Sequence, residues 1–170
     1  MMTAGSRTRL GMIICCAGMA MANAGLAPAG MFTEGDHVML QAGPYVYHRD
    51  HDTQHNNLPL LTGVEWESAS RWELGAARFV NSFNQPCAYL YAGRRWFLKD
   101  TGQQGLYIKI TGGPLYGYKK PYEEKIPLNH HGVGLAILPA IGYQYGRANT
   151  QLVFLGTAAL MLTFGYDFWR

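Results

Sequence analysis

The stretch Leu160-Met161-Leu162-Thr163-Phe164-Gly165-Tyr166-Asp167-Phe168 decides the fold. Leu160, Leu162, Phe164, Tyr166 and Phe168 fall on one side of an extended chain, and Met161, Thr163, Gly165 and Asp167 fall on the other. Strict alternation is the period-2 signature of a strand between two different environments. An apolar face that turns aromatic toward its end suits a strand that faces lipid and finishes in an interfacial girdle. The competing reading is a transmembrane helix, because Ala148 to Tyr166 carries no charge. Within that run only Leu152 to Phe164 is densely apolar, and Gly156-Thr157 interrupts it. An exported barrel must also avoid long apolar helices that would arrest it in the inner membrane. The alternation points to a strand.

The segment Val133 to Tyr145 repeats the pattern. Val133, Leu135, Ile137, Pro139, Ile141, Tyr143 and Tyr145 share one face, and Gly134, Ala136, Leu138, Ala140, Gly142 and Gln144 the other. The bulky face is read as lipid-facing. The small residues Gly134, Ala136, Ala140 and Gly142 are read as an inner lining with room for an acyl chain. Further strands are expected at His37 to His48, Leu60 to Ser68, Trp72 to Ser82, Cys87 to Leu98, Gly105 to Gly117 and Thr150 to Leu155. About eight strands make the smallest of the even-numbered membrane barrels. Alternation places Lys109 inside and sets Glu65 and Glu67 opposite Val64 and Trp66. Arg78 is expected inside as well, with Trp72, Leu74, Ala76 and Ser82, because Arg facing mid-bilayer lipid costs ~2–4 kcal/mol. The faces of Cys87 to Leu98 are left open. Short connections at 68–71, 99–105 and 146–149 are expected on one side. Longer ones at 48–57, 82–86 and 116–131, with the tight Gly156-Thr157, are expected on the other.

Composition agrees with this class. The chain has 170 residues, 15% charged, 13% aromatic and 21 Gly, with a formal charge of +3. So few charges with so much apolar content exclude a disordered tail. The weak positive charge also argues against nucleic acid as a partner. Residues 1–24 read as a cleaved signal peptide: Arg7 and Arg9, then an apolar run from Leu10, then Ala22-Asn23-Ala24 as the cleavage site. Residues 25–170 would form the barrel. Cleavage removes two positive charges and two of the three Cys, leaving Cys87 without a partner for an internal disulfide.

No zinc signature, phosphate-binding Gly loop or G-x-S-x-G elbow is present. His48, His51 and His55 fall in one expected loop beside Asp50 and Asp52, and His130-His131 in another. These are metal-ligand residue types, but loop spacing alone does not define coordination geometry. A solvated polar loop is the reading taken, with no metal and no cofactor expected.

Three stretches carry a resemblance: Gly43-Pro44-Tyr45-Val46-Tyr47-His48; Phe79-Val80-Asn81-Ser82-Phe83 with Tyr91-Ala92-Gly93; and Ile137-Leu138-Pro139-Ala140-Ile141-Gly142-Tyr143. Over about Gly43 to Phe168 the chain resembles the PagP-type lipid A palmitoyltransferases, eight-stranded outer-membrane barrels that move an acyl chain from phospholipid to lipid A. It is closer still to short Gly-rich barrels labelled sn-glycerol-3-phosphate transporters. The resemblance implies a Gram-negative outer-membrane location, with phospholipid and lipopolysaccharide as partners. It also implies catalysis by an external His and an Asp-Ser pair at the end of a strand. Ser82 matches that Ser, Asn81 stands where the Asp would be, and His48 is the counterpart of the His. His48 would act as base, with a hydroxyl as nucleophile or oxyanion donor. Pro44, Pro127 and Pro139 would interrupt ladders, and in PagP-type barrels such interruptions let lipid enter sideways. The alternatives are a structural or binding barrel without chemistry, and permeation of a small polyol phosphate such as glycerol 3-phosphate.

Overall fold

The computed structural model describes residues 32–49, 56–99 and 104–169. The expected signal peptide, Asp50, His51, Asp52 and His55 lie outside the described residues. Eight antiparallel strands run in chain order: β1 (His37–His48), β2 (Leu61–Glu67), β3 (Trp72–Val80), β4 (Pro86–Phe97), β5 (Gly105–Tyr116), β6 (Val133–Tyr145), β7 (Ala148–Leu155) and β8 (Ala159–Trp169). Each pairs with its neighbour, and β1 pairs with β8, so the sheet closes into a barrel. The closing seam runs from Val38↔Trp169 to His48↔Ala159, with its register shifted around Pro44. Proline brings no N–H to a ladder, and a bulge is the usual way a sheet absorbs one.

One end of the barrel, here the turn end, carries three short connections. The tightest is Gly146-Arg147, with Gly146 at φ 57°, a conformation open to glycine at the first position of a two-residue hairpin. The other end, the loop end, carries the connections after β1, β3, β5 and β7. The third of these includes a short 3-10 turn at Glu123–Lys125. Among the described residues no helix is long and apolar enough to cross a membrane.

The expected parity holds along β2, β5, β6 and β8. Glu65, Glu67, Lys109, Ala136, Ala140, Thr163 and Asp167 are buried, while Val64, Ile108, Ile137, Phe164 and Tyr166 are exposed. In β4 the structure places Cys87, Tyr89, Tyr91 and Arg95 inside, with Leu90 and Trp96 outside. The expectation for β3 is corrected. Glu73 and Ala77 are buried, whereas Trp72, Leu74 and Arg78 are exposed on the outer face. Arg78 sits near the loop end of β3 and donates to Thr62 Oγ1 at 3.0 Å. An exposed Arg at the end of a strand keeps its charged head in solvent while its stem lies along the barrel surface. Glu73 takes the lumen instead, where cations wait for it.

The turn half of the lumen is filled by ion pairs. Arg95 contacts Glu73 at 3.0 Å, Glu67 at 3.1 Å and Glu65 at 3.4 Å. Lys109 pairs with Glu65 and Glu73, and Arg71 closes on Glu67 from the turn. The Tyr91 hydroxyl donates to Glu65 at 2.7 Å, and Gln41 reaches the same carboxylate at 2.9 Å. A buried charge is tolerable only when it is paired in this way. Gln41, Tyr91 and Lys109 of this layer also form the floor of a cavity toward the other end.

Candidate functional site

The site is built at the loop end, where β1 and β3 finish. After β3 the chain reverses through a turn organised by Asn81. Its side-chain oxygen accepts the backbone N–H groups of Phe83 and Gln85, both at 2.9 Å, and its own N–H donates to the Gln85 carbonyl. This is the Asx-turn habit of asparagine. Asn81 is therefore a buried turn residue, and its side-chain oxygen is engaged within the turn.

Ser82, the next residue, points its hydroxyl to His48 at the end of β1. The distance from Ser82 Oγ to His48 Nε2 is 2.6 Å. A hydroxyl and an imidazole at this separation can pass a proton between them. The other ring nitrogen, Nδ1, lies 2.8 Å from Oδ1 of Asn57. Residues 56–59 run between the ends of β1 and β3 and bond to both. Val46 donates to the Asn57 carbonyl at 3.0 Å, Asn56 to the Ser82 carbonyl at 2.9 Å, and Val80 to the Pro59 carbonyl at 2.8 Å. The structure thus brings His48 and Ser82 together and leaves Asn81 in its turn. Asn57 carried no signal in the sequence, because it follows His48 across a loop whose course no spacing rule sets.

Below this pair lies a cavity of about 490 Å³. Val46, Leu61, Phe79, Leu115, Leu138 and Met161 wall it, while Gln41, Tyr91, Lys109, Gln151 and Thr163 form its polar floor. His48, Ser82, Tyr118 and Lys125 stand toward its loop-end mouth. Burial pushes the Tyr118 phenol up to about 12, so it remains a neutral hydroxyl. Of the small residues expected as lining, Ala136 and Ala140 border the cavity. Gly134 and Gly142 serve other neighbours. A Cβ on Gly134 would strike Ile126, and one on Gly142 would strike the Tyr107 ring. These glycines make room for protein side chains.

The cavity also reaches the flank of the barrel. The β6–β7 ladder spans only Ala140↔Val153 to Tyr145↔Ala148, so β6 from Val133 to Pro139 has no β7 partner. Leu135 N–H is taken by the Pro127 carbonyl, and Pro139 has no N–H to offer. Leu135 and Ile137, on the outer face, border the same cavity. Of the prolines expected to interrupt ladders, Pro44 and Pro139 lie in strands, and Pro127 lies in a loop against β6.

His130 and His131 stack edge to face at 4.1 Å after the 3-10 turn. Among the described residues no group of three or more His, Cys, Asp or Glu is placed to hold a metal ion. No family model matches the chain, and no curated protein matches it.

Proposed function

We propose that this chain is an outer-membrane barrel that admits a phospholipid acyl chain to its cavity and transfers it to lipid A. The observation that carries the reading is the 2.6 Å contact between His48 and Ser82 at the mouth of an apolar cavity that also reaches the barrel's flank. The outer face supports a bilayer setting. Exposed Leu40, Val64, Leu74, Leu90, Ile110 and Leu152 form a middle band. Trp72, Trp96, Tyr143, Tyr166 and Trp169 ring the turn end, with Tyr45, Tyr47 and Tyr116 toward the loop end. An apolar band between two aromatic girdles is the outer surface of a membrane barrel.

In this reading an acyl chain slides in beside Pro139 and lies against the cavity wall, with its ester at Ser82. His48 accepts the proton of the attacking Ser82 hydroxyl as that oxygen bonds to the acyl carbon. The ester bond to the phospholipid glycerol breaks, and the departing oxygen takes the proton from the imidazolium. A lipid A hydroxyl then attacks the acyl-serine by the same path and restores Ser82.

Mass spectrometry of lipid A from cells with and without the protein tests this. The expected result is one added acyl mass, lost in Ser82→Ala and in His48→Ala. An unchanged lipid A profile in every condition removes the transfer step. The engaged side chain of Asn81, where the resembled family has an acid, favours a second reading as a binding barrel without chemistry. Permeation of a polyol phosphate has the least support, because ion pairs fill the lumen below the cavity.

A further inference from the structure

We infer that Asn57 is the positioning residue that fixes the proton on His48, an inference that rests on reading His48 and Ser82 as the reacting pair. The two ring nitrogens of His48 have different partners. Nδ1 faces Asn57 Oδ1 at 2.8 Å, and Nε2 faces Ser82 Oγ at 2.6 Å. A carboxamide oxygen only accepts, so the contact with Oδ1 places the ring proton on Nδ1. In the neutral ring Nε2 then presents a lone pair, and the Ser82 hydroxyl is the donor. One side chain therefore sets the direction of both hydrogen bonds, and that direction is the one base catalysis needs.

The backbone around Asn57 serves the same end. Its carbonyl is tied to Val46, two residues before His48, and the preceding N–H is tied to the Ser82 carbonyl. Holding Asn57 in place thus holds base and hydroxyl in register. A hydroxyl or thiol, an imidazole and an amide or acid in sequence recur on unrelated folds. The neighbour that chain order suggests for this role, Asn81, has its oxygen committed to its own turn.

The test is nitrogen NMR on the full chain, labelled at histidine and held in detergent micelles, with His48→Gln to assign the ring. A protonated Nδ1 and a bare Nε2 on His48 are expected. Asn57→Ala should move the ring toward the opposite tautomer, and Asn57→Asp, which keeps an acceptor oxygen, should restore it. In the transfer assay Asn57→Ala should lower kcat by ~10-fold or more with KM little changed. A proton on Nε2 in the unaltered protein overturns the proposal, as does a tautomer indifferent to Asn57→Ala. If no acyl transfer occurs at all, the catalytic reading fails by itself, and the spectra still judge Asn57.

Discussion

Arg95 Nε donates to Glu73 Oε1 at 3.0 Å across the lumen, with both side chains shut off from solvent. The same guanidinium also reaches Glu65 and Glu67, so one cation answers three carboxylates. Removing it leaves buried negative charge that Lys109 and Arg71 cannot fully meet. Arg95→Met is expected to destabilise the barrel by about 3–5 kcal/mol. Arg95→Lys should restore only part of this, because a point charge cannot span three partners as a planar fork does. Urea unfolding of the refolded variants in lipid vesicles measures both.

Tyr91 owes its place to a glycine. Its ring lies against Gly75 on the neighbouring strand, where any Cβ would overlap it, and its hydroxyl reaches Glu65. Gly75→Ala should therefore push the ring aside at a cost of about 1–3 kcal/mol. Tyr91→Phe keeps the packing and loses a hydrogen bond to a charged group, worth about 1.5–3 kcal/mol. The double variant should cost less than the two single changes together, because the displaced ring no longer has a bond to lose. A thermodynamic cycle of the three unfolding free energies decides it.

Most of the barrel is legible in the chain because its two surfaces differ so sharply. β1 and β6 span the expected residues to the end, since their flanking segments change character at the same positions. β4 is different. Tyr89, Tyr91 and Arg95 on one face rival Leu90, Arg94 and Trp96 on the other, so size and polarity do not choose between them. The choice falls to partners from other strands, Glu73 and Glu65 above all. Arg78 misleads for a related reason: its expected inward aim assumed a place in the middle of the strand span, and its place near the loop end becomes known only when the strands are set in register. The approach of His48 to Ser82, 34 residues apart, is likewise a product of strand order and of the segment around Asn57.

Outside the strands, Asp36 gives the fold a pH-sensitive tie. Its carboxylate accepts the N–H of Thr33 at 2.9 Å and that of Ala69 at 3.0 Å. These bonds, Thr33 first, hold it below the ordinary carboxylate range. A carboxyl lowered in the folded state adds stability above its unfolded value, near 3.9, and loses it as pH falls through the folded value. The stability gap between the unaltered protein and Asp36→Asn should be constant near neutrality and shrink from about pH 5 toward pH 2. Unfolding midpoints across that range check the sign.

The cavity wall offers a test of ligand binding that needs no catalysis. Ala140 is buried and borders the cavity, so Ala140→Phe would fill space that an alkyl chain would otherwise occupy. Each methylene kept out forfeits about 0.8 kcal/mol. A probe that loses three of them should bind by roughly 2 kcal/mol more weakly. Titration of a fluorescent alkyl probe into the purified barrel reads this directly. Ser70→Ala at an exposed turn of the far end serves as the control that leaves the cavity intact.

Depth in the proposed bilayer can be read from two outward positions. Arg78 lies near the loop end of β3, bonded to Thr62, and Leu152 lies within β7, paired with Ile141 and Leu162. If the apolar band is the lipid-facing zone, a charge at the second position meets hydrocarbon and a charge at the first does not. Leu152→Arg should cost about 2–4 kcal/mol in a bilayer, and Arg78→Leu should change stability by no more than about 1 kcal/mol. In a detergent-free aqueous setting the order would reverse, because exposing leucine to water is unfavourable and exposing arginine is not. Equal costs for the two variants in vesicles would show that the middle band does not meet lipid.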